Sequence, residues 1–105
     1  MRPSGTMTTV DDEVLGASQS LIDNDWTWPI HGLRHPAEGG ASGWYVWSGD
    51  LSDADDFFQP WHRSHLVARC PEAAHLLDLP PGSRFLVAPG YEDVWEDLTL
   101  LNPRT

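Results

Sequence analysis

From Trp44 to Trp47 every side chain is apolar, in the stretch GWYVWSGD (43–50). Read as a strand, it carries Trp44 and Val46 on one face and Tyr45 and Trp47 on the other. Two arrangements suit such a pattern. One is a central strand covered on both sides; the other is a strand with one face left open for a partner. RFLVAP (84–89) also reads as a strand, with Phe85 and Val87 on one face and Leu86 on the other. GYEDVWEDL (90–98) follows a tight Pro89-Gly90 turn, which predicts a hairpin. EVLGAS (13–18) predicts a short strand, and SQSLID (18–23) a helical turn capped by Ser18. In DWTWPIHGL (25–33), Trp26 and Trp28 fall on one face of an extended segment. Pro29 removes a donor there, so this strand is predicted at an edge or ending early.

Helical signals sit in the middle of the chain. Ser52 and Asp55 have the spacing of a capping box with Asp in place of Glu or Gln, predicting a short helix through ADDFF. WHRSHLVARC (61–70) reads as a helix. Pro71 suits the first position of a further helix, PEAAHLL. RHPAEGGASG (34–43) and DLPPGS (78–83) read as a loop and a turn. The sum is an α+β fold: a small, mainly antiparallel sheet with short helices inserted before a C-terminal hairpin. Residues 1–12 are small, polar and acidic and read as a flexible tail, leaving 13–105 as a single domain. No internal repeat stands out.

At 105 residues the chain fits one small domain. A domain of that size buries roughly 60–65% of its unfolded surface, which leaves little room for a deep internal active site. Its six tryptophans can carry much of the core, at roughly 150–250 Å² each. Sixteen acidic residues against six basic ones give a formal charge of -10. All the basic residues are arginine. Such a surface repels nucleic acid and anionic membranes and draws a basic partner; it also keeps a protein soluble. A single cysteine, Cys70, rules out an intrachain disulfide. The N-terminus does not read as a secretory signal, and no apolar run reaches the length of a membrane span. The expected setting is cytoplasmic.

No catalytic constellation emerges. His62 and His65 share a face of the expected helix, and with His75, Cys70 or Asp56 they would furnish a zinc shell. The spacing matches none of the known zinc patterns, so no metal and no cofactor is expected. Glu92 and Asp93 point to opposite faces of a strand and do not converge as an acid–base pair. Asp53 and Asp55 fall in the first turn of the expected helix, where negative charge is favoured anyway. Cys70 follows Leu66, Val67 and Ala68 and reads as a buried structural thiol. Trp61 and Trp95 are the tryptophans expected to be part-exposed. The acids form two blocks: Asp50, Asp53, Asp55 and Asp56, then Glu92, Asp93, Glu96 and Asp97. If the fold joins them, they make one negative face with Trp61 or Trp95 as anchor for a basic protein partner.

Four motifs occur in order: WPIHGLRHPAEG, SGWYVWSGD, DDFFQPWHRSHL and CPEAAHLLDLPPGSRFLVAPGYEDVWEDLTLL. Together they resemble the bacterial immunity-protein family numbered thirty-three, over about Trp26 to Leu101. The blocks Phe57-Phe58-Gln59-Pro60, Leu79-Pro80-Pro81-Gly82 and Tyr91-Glu92-Asp93-Val94-Trp95 are the most specific. Two positions depart from the pattern: Trp61, where a smaller aliphatic residue is expected, and Ser83, where an aromatic is. The resemblance implies direct binding of a cognate toxin of a polymorphic toxin system, without catalysis. It also gives the acidity a use, because a nuclease toxin has a basic cleft that an acidic protein can occupy. Two other readings remain: a housekeeping interaction module with another partner, and a small metal-dependent enzyme built on His62, His65 and nearby acids.

Overall fold

The computed structural model describes residues 13–37, 41–52, 54 and 56–101. The 1–12 tail, Asp53 and Asp55 lie outside these. The fold is α+β, with one six-stranded sheet and a few short helices. Its strands are β1 (Val14–Ser18), β2 (Ile30–Arg34), β3 (Ala41–Ser48), β4 (Phe58–His62), β5 (Ser83–Ala88) and β6 (Tyr91–Glu96). Their order across the sheet is β4-β1-β3-β2-β5-β6. β1 and β3 run parallel, and every other neighbouring pair is antiparallel. α1 (Gln19–Ile22) follows β1, and α2 (Arg63–Arg69) follows β4. Among the described residues there are also two 3-10 helices: η1 (Pro71–Asp78) and η2 (Leu98–Leu101).

Strand alternation sorts the sheet into two faces. One carries Leu15, Ala17, Ile30, Trp44, Val46, Phe85 and Val87, which pack with Leu66, Cys70, Ala73, Leu76 and Leu77 of α2, η1 and the link between them. Trp44 is buried at the centre. Its ring meets Phe85 at 5.4 Å, and its indole N–H donates to the Leu77 carbonyl at 3.0 Å, so its one polar atom is satisfied inside the core. Arg69 donates to the Leu21 carbonyl at 2.6 Å and holds α2 against α1. Arg63, also buried, pairs with Asp78 at 2.8 Å. The opposite face carries Tyr45, Trp47, His31, Leu33, Phe58, Leu86 and Arg84, placed there by the register.

Several expectations need correction. No helix forms among the described residues of the ADDFF segment. Instead the Ser52 hydroxyl accepts from the Ala54 N–H at 3.1 Å, the chain turns, and Phe58 opens β4. The next helix begins at Arg63, two residues later than Trp61. Trp61 stays extended because it pairs with Leu15 across the β1–β4 ladder. Pro60 sits within β4, which is an edge strand, where a missing donor is tolerated. Pro29 has a different outcome: β2 starts just after it and lies between β3 and β5, not at an edge. The proline precedes the first paired residue, so no ladder bond needs its nitrogen. Trp26 and Trp28 lie ahead of β2 and meet edge to face at 4.9 Å. Arg34 and Ala41–Gly43, read as loop, belong to β2 and β3. Ser18 precedes α1 without capping it; its hydroxyl turns to Ser20 at 3.0 Å and to the Ser48 N–H at 3.4 Å.

Candidate functional site

β6 is exposed at every one of its residues. The Pro89-Gly90 turn, with Gly90 at φ 73, reverses the chain and sets β6 beside β5, from Ala88 against Tyr91 to Ser83 against Glu96. Beyond β6 the described residues add no further strand, so β6 is the edge of the sheet. Three large apolar side chains stand out from it: Tyr91 at 55% exposure, Val94 at 41% and Trp95 at 40%. Between and around them are Glu92, Asp93, Glu96 and Asp97. The exposed aromatics flanked by acids make this edge a candidate for protein binding.

The far end of β6 is held by polar contacts. The Asp97 N–H donates to the Gly82 carbonyl at 2.7 Å. The Asp97 carboxylate accepts from the Thr99 N–H at 3.2 Å and from Arg84 at 3.3 Å. The Thr99 hydroxyl also donates to it, and that bond first, then the Thr99 N–H and Arg84, hold this carboxyl below its usual value. Arg84 lies over the Trp95 ring at 5.7 Å, a cation–π contact that keeps the indole in place. Near the turn, His75 of η1 is 2.7 Å from Glu92. Both are exposed, so the pair adds little to stability.

The described residues of the other acidic block do not belong to β6. Asp50 and Asp56 are exposed in the connection between β3 and β4. β4 and β6 are the two opposite edges, five strand spacings or roughly 24 Å apart. Asp50, which follows β3, starts three strand spacings from β6, roughly 14 Å, and Asp56, which precedes β4, starts five. Trp61 lies in β4. It is half-buried against the core, with Arg69 over its ring at 5.4 Å and His65 at 5.7 Å. Trp95 is the tryptophan that lies among acids.

A second feature was invisible in the sequence. On the face away from the helices, Leu33, His35, Tyr45, Leu51, Ser52 and Phe58 line an open groove of about 740 Å³. Phe58 meets Tyr45 at 5.1 Å and Trp47 at 6.0 Å, and His31 stacks on Trp47 at 5.2 Å. Burial, with Arg84 beside it, holds the His31 imidazole below its usual pKa. These residues come from four separate segments, so only the sheet register brings them together.

The chemistry of the histidines and Cys70 is different. His62 and His65 rings are 5.6 Å apart, but among the described residues no three His, Cys, Asp or Glu side chains gather as a metal site needs. Cys70 is fully buried, and burial pushes its thiol pKa up, the opposite of what a nucleophile requires. Among the described residues no helix is long and apolar enough to cross a membrane.

The Imm33-like domain matches residues 5–97. The chain belongs to the Imm33-like family. The match begins earlier than the Trp26 at which the sequence motifs start, and takes in all six strands, β6 and its acids included. The family's name is that of an immunity protein, which suggests a role without catalysis. No curated protein and no solved structure matches this Imm33-like chain.

Proposed function

We propose that this chain neutralises a bacterial toxin by binding it directly, with the β6 edge as the contact surface. The observation that carries the reading is the family match over residues 5–97. The composition supports it: a formal charge of -10 favours encounter with a basic protein and disfavours nucleic acid. The partner is then a toxin with a basic surface, and a nuclease with a phosphate-binding cleft is the chemistry that fits. Trp95 anchors the contact, while Glu92, Asp93, Glu96 and Asp97 steer the approach. Binding inside the producing cell, in the cytoplasm, is where neutralisation is needed.

The test is co-expression with the toxin encoded beside this gene. Growth arrested by the toxin should be restored by the wild-type chain. Continued arrest, with the chain present as folded protein, would refute the reading.

A further inference from the structure

Among the described residues, one side of the β6 backbone is unpaired. In an antiparallel ladder, residues whose N–H and C=O face the neighbour alternate with residues whose groups face away. The Asp97 N–H faces β5, since it donates to the Gly82 carbonyl at 2.7 Å. Stepping back by two, Trp95, Asp93 and Tyr91 also turn their backbone groups to β5. Glu92, Val94 and Glu96 turn theirs outward. Among the described residues β6 pairs with β5 alone. Such an edge is a template for another strand.

Charge decides which strand. A second copy of β6, laid antiparallel and centred on Val94, would set Glu92 opposite Glu96 twice over. Like charges directly opposite are destabilising, so these acids guard the edge against self-pairing. The same acids favour cations. Glu92 and Glu96 project to one face with Val94 between them, and Asp93 projects to the other beside Trp95. From this geometry we infer that β6 accepts an extended segment of a basic protein partner as a seventh strand. That segment has Lys or Arg alternating with apolar residues. Main-chain hydrogen bonds to Glu92, Val94 and Glu96 fix its position. Its cations lie along Glu92 and Glu96, and its apolar residues lie beside Trp95. The inference rests on the reading of this chain as a toxin-binding protein, and it adds the mode of binding.

The probe is a ten-residue peptide of alternating lysine and valine, titrated into the full chain by calorimetry at low salt. Wild type should bind it, and amide exchange should slow at Glu92, Val94 and Glu96. Val94→Pro removes an outward-facing donor and leaves the bonds to β5 in place, so it should weaken binding at least tenfold. Glu92→Lys with Glu96→Lys should do the same. Absence of binding to wild type, or unslowed exchange at the three amides, overturns the inference. So does equal affinity in a Val94→Pro variant with an unchanged circular dichroism spectrum. Should that variant fail to fold, the exchange measurement on wild type decides alone. Co-expression with the neighbouring toxin separates the two claims. Full rescue by folded Val94→Pro removes the strand-addition mode and leaves toxin neutralisation standing. Failure of rescue by wild type removes neutralisation itself.

Discussion

Trp44 and Trp95 are the same residue type put to opposite uses, and their neighbours explain why. Trp44 is 1% exposed, fills the space over Phe85 and bonds the Leu77 carbonyl. Trp44→Ala should cost about 3–5 kcal/mol, as large core truncations do. Trp95→Ala should cost well under half of that, because the ring is 40% exposed at an edge. Urea denaturation of both variants checks the contrast, and equal losses would contradict it. Gly32 is a quieter constraint. A Cβ at this position would run into the Phe85 ring across the ladder, so Gly32→Ala should lower stability by about 1–3 kcal/mol through overpacking. An unchanged denaturation midpoint would show that the ring moves aside freely. The core role of Trp44 was readable from the run of apolar residues around it. The role of Gly32 was not, because nothing near it in sequence announces that Phe85 packs on its bare backbone.

Elements were readable where turn chemistry and alternation agreed, as in the β5–β6 hairpin. They were misread where a local signal competed with a distant one. Ser52 and Asp55 carry a helix-start signal, and Trp61-His62 fits a helical run, yet pairing with β1 draws Phe58–His62 into an edge strand. Pro29 signals an interruption, but the interruption falls one residue before β2 and costs the ladder nothing. The groove face was out of reach, since its lining depends on which strands are neighbours. That face makes its own prediction. The His31 pKa is lowered from 6.5 in the folded chain by burial, then by Arg84, so the unfolded chain takes up the proton first as pH falls. The resulting stability is complete above about 6.5 and is lost as pH drops through the lower, folded value. His31→Phe keeps a ring on Trp47 and removes the titration. Its melting temperature should fall less than that of wild type on going from neutral to mildly acidic buffer. Parallel losses in the two proteins would show that His31 does not govern this window.

At the scale of the whole molecule, the proposed contact surface rests on charge and topology together. The net charge of -10 was plain in the sequence, and so was the acidic block at Glu92–Asp97. That β6 lies at an edge, and that Asp50 and Asp56 lie on the β3–β4 connection and not on that edge, required the strand order. The separation makes a prediction. Reversal of Asp50 and Asp56 to lysine should mainly slow association with a toxin through the general field. Reversal of Glu92, Asp93 and Glu96 should also remove the contact. Similar losses of affinity from both variants would favour a diffuse attraction over a defined edge. Metal plays no part in this account, so a chelator should leave the melting temperature unchanged; a fall of many degrees restored by zinc would restore the histidines to the argument. The most direct measurement of the central claim is the dissociation constant between this chain and the toxin encoded beside it. It is compared for wild type and for the Glu92→Lys, Asp93→Lys, Glu96→Lys variant, with folding checked by circular dichroism. The account predicts a defined complex with wild type and at least hundredfold weaker binding by the folded variant. No complex with wild type, or equal affinity for both, would contradict it.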